Sequence, residues 1–297
     1  MDVSVIFVNY NSIHLLQNAI ASVIEHTHGV QYEIIVVDNN SSDNAKNLLQ
    51  EYFPSVPIQF VALSANIGFG RANNEGFKRA QGRHIFFLNP DTILLNDAIA
   101  ILSGYLENEP KVGVCGGNLY TEKMLPMHSF SRVLPSIIWQ VNLLFFGLPF
   151  KAIYGKNTDF NHTEIPIPVG YVTGADMMIK RSVLDKTGGF SDDFFMYFEE
   201  TELSFRIKNQ GYKIMSIPQA KIIHLESQTF SCNEIKQRYY VESWHTYFRK
   251  RYNTVGYTCA KSIFLFHATL KYIFAVCTRK KERMRIYKQF FIWGKKA

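Results

Sequence analysis

The stretch Ile34-Ile35-Val36-Val37-Asp38-Asn39-Asn40-Ser41-Ser42-Asp43 decides the fold, because a β-branched run breaks abruptly into acids, amides and hydroxyls. Four successive branched apolar residues suit a strand buried on both faces, as in a parallel sheet. Ligands of open parallel sheets bind beyond the carboxyl ends of the strands, so the polar break is also the first place to look for a site. A second break of the same kind is Ile85-Phe86-Phe87-Leu88-Asn89-Pro90-Asp91. Between the two lies Asn66-Ile67-Gly68-Phe69-Gly70-Arg71-Ala72-Asn73-Asn74-Glu75-Gly76, where glycine permits close backbone approach and a helix N-terminus can face phosphate.

Outward from these motifs, short apolar runs alternate with helical patterns. Strands are predicted at Ser4–Val8, Glu33–Val37, Ile58–Leu63, His84–Leu88 and Val112–Asn118, and helices at Ser12–Glu25, Asn44–Tyr52, Arg71–Ala80 and Asp97–Glu107. Such βα units predict an α/β fold, a mostly parallel central sheet flanked by helices. Residues 120–168 read as a long irregular connection broken by Pro126, Pro135, Pro149, Pro166 and Pro168. Order returns with a strand at Val169–Thr173, the apolar run Met177–Ile179, and a helix from Glu199 or Glu200 to Gln210.

Composition narrows the class. Of 297 residues, 47% are hydrophobic, enough for a large packed core rather than a disordered chain. Cys115, Cys232, Cys259 and Cys277 lie far apart without metal-ligand pairing, which disfavours a disulfide-stapled secreted domain and fits a cytoplasmic one. The N-terminal run has no basic n-region or cleavage site and reads as a first strand. The net charge of +7 is uneven: residues 233–297 carry 15 Lys/Arg against 3 Asp/Glu, leaving the rest of the chain at −5. A basic tail on an acidic body points to a polyanionic surface, either lipid headgroups or nucleic acid.

Taken together, and with Ser131-Arg132-Val133-Leu134-Pro135-Ser136, Gly174-Ala175-Asp176-Met177-Met178 and Gly188-Gly189-Phe190-Ser191-Asp192-Asp193-Phe194-Phe195-Met196-Tyr197-Phe198-Glu199-Glu200-Thr201-Glu202, the ordered series resembles the family 2 glycosyltransferases of the GT-A (Rossmann-like) fold. Within them it looks most like the rhamnosyltransferase-like branch of O-antigen and other surface-polysaccharide assembly. The resemblance covers roughly residues 3–230. It implies a catalytic domain over 1–230, with a nucleotide-binding half (1–120) and an acceptor half (121–230), followed by a basic aromatic helical tail, 231–297.

The resemblance also implies roles. Asp38 and Asn40 would meet the pyrimidine nucleoside, Asn66, Gly68 and Asn73 would support nucleoside and diphosphate, and Arg71 would add charge near phosphate or simply face solvent. Asn89-Pro90-Asp91 stands where many relatives carry Asp-x-Asp, which leaves Asp91 as the carboxylate for Mg²⁺ or Mn²⁺ and Asn89 for ribose or a metal-bound water. His224 would be a further metal ligand or a structural histidine. Glu200 matches the family's base, with Glu199 and Glu202 as alternates; the plainer reading of all three is an acidic first helical turn. The implied reaction is a single inverting transfer, with L-rhamnose from dTDP-rhamnose as leading donor and UDP-hexoses behind it, to a polyprenyl-diphosphate-linked saccharide.

Ser262–Cys277 is apolar yet interrupted by His267 and Lys271, short of the ~20 residues that span a bilayer. With Arg249-Lys250-Arg251 and Arg279-Lys280-Lys281 at its ends it reads as an interfacial helix, placing the protein peripherally on the inner face of the cell membrane. The alternative is packing on the catalytic body or on a second copy in a homodimer. A dinucleotide oxidoreductase is disfavoured because Val8-Asn9-Tyr10-Asn11-Ser12 stands where G-x-G-x-x-G would follow the first strand. A processive synthase is disfavoured by the lack of Gln-x-x-Arg-Trp and of convincing membrane spans. A non-catalytic nucleotide- or nucleic-acid-binding protein would leave Asp91 and the glutamates without purpose, so no nucleic acid is expected.

Overall fold

The computed structural model describes residues 1–225 and 234–296. The expected boundary at 230/231 and the stretch Glu226–Thr229 lie outside the described residues. The first part runs β1 (Val3–Asn9), α1 (Ile13–His26), β2 (Tyr32–Asp38), α2 (Ala45–Tyr52), β3 (Ile58–Ala62), α3 (Phe69–Phe77), β4 (His84–Leu88), β5 (Thr92–Leu94), α4 (Ala98–Asn108) and β6 (Val112–Tyr120). Every strand and helix expected in this region is present within a few residues, and β5 is an addition. β7 (Phe130–Ser131), α5 (Ile137–Leu144), α6 (Leu148–Tyr154), β8 (Ile167–Pro168), β9 (Tyr171–Val172), β10 (Asp176–Lys180), α7 (Arg181–Thr187), α8 (Glu199–Asn209) and β11 (Lys213–His224) follow. The chain closes with α9 (Glu234–Arg251), α10 (Thr254–Cys277) and α11 (Lys281–Lys296).

The main sheet has the order β3-β2-β1-β4-β10-β6-β11-β5, with β8 beside β11, while β7 and β9 form a separate pair. β1 pairs parallel with β2 and β4, β2 with β3, and β6 with β11, whereas β10 is antiparallel to both β4 and β6. Strand alternation divides the core. Val5 and Phe7 of β1 join Leu16, Leu102 and Phe86 on one face, and Ile6 and Val8 join Phe87, Ala72 and Leu203 on the other. Burying both faces under helices is what the unbroken apolar runs demanded.

Residues 120–168 are more regular than expected. Pro149 sits in the first turn of α6, where its missing N–H costs nothing, and Ser136 caps α5 by accepting from Trp139 N at 3.1 Å. The prolines of this stretch mark element starts as well as interruptions.

The tail is likewise corrected in extent. Asn253 caps α10, accepting from Gly256 N at 3.0 Å, so the helix runs 24 residues and is long and apolar enough to cross a membrane by length and composition. It packs on α5, α9 and α11. α9 in turn buries Trp244, Tyr247 and Phe248 in a third cluster with Phe194, Phe198 and Ala260, directly behind the α8 loop.

His245, buried in α9, exchanges a 2.8 Å hydrogen bond with the Tyr257 hydroxyl, and burial pushes its pKa down to about 4. The unfolded chain binds this proton below about pH 6.5 and the folded chain does not, so stability is full above that pH and falls toward pH 4. Acidification to pH 5 is expected to cost up to about 2 kcal/mol through this histidine alone. Urea unfolding at pH 7.5 and 5 checks it: His245→Phe should flatten the difference, and an unchanged slope would refute it.

Candidate active site

A cavity of about 510 Å³ opens beyond the carboxyl ends of β1 and β4, beside the end of β2. Tyr10 and Ser12 after β1, Asn39 after β2, Asn66, Gly68 and Phe69, Asn89–Asp91 after β4, Thr173–Ala175, Phe195–Tyr197, Glu199, Glu200, His224 and Lys236 line it.

The nucleotide side rests on amide bonds. Asn39 Nδ2 donates to Asn66 Oδ1 at 2.9 Å, Asn39 Oδ1 accepts from Ile67 N at 2.9 Å, and Asn66 Oδ1 also accepts from Gly68 N at 3.0 Å. Gly68 has φ +91°, and a Cβ there would run into the Phe195 carbonyl, which accepts from Phe69 N at 3.0 Å. Only glycine meets both demands, so the turn is locked against the loop that carries the glutamates.

The fourth-strand turn supplies two unsatisfied acceptors. Asn89 Oδ1 and Asp91 Oδ1 are buried without a hydrogen-bond partner. Antiparallel pairing of Thr92 with His224 brings the His224 Nε2 to 3.3 Å from Asp91 Oδ1, close enough for electrostatic contact but outside hydrogen-bond geometry. A carboxylate, an amide oxygen and an imidazole facing a cavity suit a hard or borderline divalent cation. Among the described residues no group of three or more His, Cys, Asp or Glu converges as a metal cage, so such an ion would need substrate oxygens and water to complete its shell.

The glutamates line the same cavity. Tyr197 (φ +71°) and Phe198 (φ +66°) are successive non-glycine residues in the left-handed region, just before α8. That strain is held by Phe198 packing on Tyr240 and Tyr247, and it delivers Glu199 and Glu200 into the cavity. Burial raises both carboxyl pKa values, and the neighbouring Glu200 charge raises Glu199 further. Glu199, buried with a partnerless Oε2, is the member of the pair that keeps the proton. Glu200, half-buried, accepts from Thr201 Oγ1 at 3.0 Å and is left to ionise.

Thus Asn66, Gly68, Asn89, Asp91, His224, Glu199 and Glu200 converge on one cavity, and the other expected residues do not line it. Glu202 accepts from Arg206 Nε at 2.9 Å with both oxygens, and Arg206 in turn holds the carbonyls of Thr187, Gly188 and Gly189, a structural clamp. Arg71 spends its guanidinium on the Asp192 carbonyl. Asn73 is buried and bonds Phe69 O at 3.1 Å, and Asn40 is exposed with φ +65°. Asp38 sits just behind the cavity wall, accepting from Asn9 Nδ2 at 2.9 Å and Ser41 N at 3.0 Å. Asn39, Tyr10, His128 and Lys236 are wall residues that the motif reading did not single out. Asn39 alone was legible, since it stands in the same strand-end break.

The chain matches Glycosyl transferase family 2 over residues 4–188. It is 25% identical over 233 residues to the O-antigen biosynthesis protein RfbC of Myxococcus xanthus, covering 78% of this chain but 18% of that protein. To the N-acetylglucosaminyl-diphospho-decaprenol L-rhamnosyltransferase of Mycobacterium tuberculosis it is 24% identical over 205 residues, 64% of this chain and 66% of that one. Against the solved mannosyltransferase PcManGT of Pyrobaculum calidifontis, in complex with GDP-Man and Mn²⁺, the TM-score is 0.60 at 15% identity over 98% of this chain and 85% of the other. The fold and the matched span agree: the chain belongs to glycosyl transferase family 2 and has the GT-A fold.

Proposed function

We propose that the chain transfers a single sugar, L-rhamnose from dTDP-rhamnose, with inversion, to a hydroxyl of a polyprenyl-diphosphate-linked saccharide at a membrane surface. The observation that carries this reading is that one cavity gathers Asn89, Asp91 and His224 together with Glu199 and Glu200. The first group suits a diphosphate leaving group and the second suits a base, the two functions a direct displacement requires.

Asp91 and His224 would hold Mg²⁺ or Mn²⁺, which when bound neutralises charge on the departing nucleoside diphosphate. Tyr10, exposed at the end of β1, offers an aromatic face for the base, with Asn39 and Asn66 fixing the turn beside it. Asp38 would act through Asn9 and the Ser41 turn. Glu200 takes the proton of the acceptor hydroxyl as its oxygen bonds to the anomeric carbon; the bond from that carbon to the diphosphate breaks on the opposite side. No covalent intermediate is needed.

Likeness to the mycobacterial L-rhamnosyltransferase supports the donor and the lipid-linked acceptor. The test is a panel of dTDP-rhamnose, UDP-glucose, UDP-galactose and UDP-N-acetylglucosamine with Mg²⁺ or Mn²⁺ and an N-acetylglucosaminyl-diphospho-polyprenol acceptor, the product's anomeric configuration being read by NMR. Transfer from dTDP-rhamnose with inversion is expected. Transfer from a UDP-hexose alone overturns the donor, and retention of configuration overturns the mechanism.

A further inference from the structure

We infer that the elbow between α5 and α6, tipped by Phe145 and Phe146, is a wedge that inserts into the acyl region of an anionic bilayer and seats the enzyme on it. This rests on the proposed lipid-linked acceptor and adds a specific insertion site, within the stretch 120–168 that reads in the sequence as an irregular connection.

The elbow is a built corner. α5 and α6 meet at 107°, Asn142 O accepts from Phe145 N (3.1 Å) and Gly147 N (2.9 Å), and Asn142 Oδ1, on a buried side chain, accepts from Phe150 N at 2.9 Å. Phe146 is held at φ +56°, a strained conformation for an aromatic residue, and is 91% exposed. Folding gains nothing from a strained, fully hydrated phenyl ring, so the gain must come from something it meets. Phe145, Leu148 and Ile153 on the same two short elements are exposed as well, so the corner presents several large apolar side chains.

Charge selects the partner. Residues 123–158 contain Lys123, Arg132, Lys151 and Lys156 and no Asp or Glu. α5 packs along α10, sharing with it the small cavity lined by Trp139, Leu143, Phe264 and Ala268, and residues 243–281 also contain no Asp or Glu beside eight Lys and Arg. α10 carries its own exposed Ile273 and Phe274. Apolar tips on segments whose own charges are all cationic match anionic headgroups over hydrocarbon. The surface is coupled to chemistry, because Ile137 at the start of α5 packs on the aromatic cluster that holds Phe198, and Tyr247 Oη donates to Pro135 O at 3.0 Å.

Because α10 covers Trp244, deleting the tail would disturb the body, and point variants are the better probe. Full-length protein is sedimented with phosphatidylglycerol-containing and pure phosphatidylcholine vesicles. Native protein should favour the anionic vesicles, and F145S/F146S should lose vesicle affinity by about tenfold or more. Transfer to a short-chain, detergent-solubilised acceptor should be unchanged, so loss of the wedge and loss of the glycosyltransferase reading are separable. In F146W, the added indole emission should be quenched by brominated acyl chains. Unchanged vesicle affinity, no quenching, or a dimer in analytical ultracentrifugation that F145S/F146S abolishes without any effect on vesicles would each overturn the wedge.

Discussion

Glu200→Gln is expected to lower kcat by about 10³-fold while leaving nucleoside diphosphate affinity within about threefold, because it removes a proton acceptor and little volume. The expectation follows from position: Glu200 and Glu199 both reach the cavity, but burial and the neighbouring charge keep the proton on Glu199. Glu200 must be ionised to act, and its pKa is raised by burial, so kcat should fall as pH drops through a limb lying above the ordinary carboxylate range. Glu202→Gln is the informative control. It weakens the pairing that holds Arg206 on the 187–189 carbonyls and should reduce stability with kcat largely kept. Full turnover by Glu200→Gln, measured as product released per enzyme at saturating donor and acceptor, would remove Glu200 as the base.

Much of this site was legible because its parts are local. A branched run ending in polar residues fixes both a strand and the position of its last side chains, so β2, β4 and the turn at Asn66 could be placed before any tertiary contact was known. The misses have tertiary causes. Asn39 and Asn40 are chemically identical neighbours, and only the backbone leaving β2, with Asn40 at φ +65°, decides that Asn39 faces the cavity. Arg71 was drawn away by a partner far along the chain, the Asp192 carbonyl, and Glu202 by Arg206 one helical turn on, which is itself anchored on the 187–189 carbonyls. The left-handed pair Tyr197-Phe198 carries no glycine signal, since cluster packing rather than propensity holds it. α5 and α6 were hidden because proline was read as a breaker where it initiates.

Asp91 depends on both kinds of information. Its strand-end position is a sequence property, but its approach to His224 exists only because β5, three residues long, pairs with the end of β11. Asp91→Ala removes the single carboxylate among the residues at this corner, so it is expected to reduce kcat/KM by about 10³-fold. His224→Ala, which deletes a neutral ligand and leaves the carboxylate, should cost about tenfold. Direct binding gives a readout free of turnover: titration calorimetry of dTDP should show tighter binding with Mn²⁺ than with EDTA in the native chain, and no such difference in Asp91→Ala. Electron paramagnetic resonance should likewise show free Mn²⁺ disappearing when native protein and dTDP are mixed, and remaining with the variant. If dTDP binds equally well in EDTA, or if exhaustive chelation leaves transfer intact, the orphaned oxygens of Asn89 and Asp91 do not hold a cation and the leaving group must be stabilised by protein groups alone.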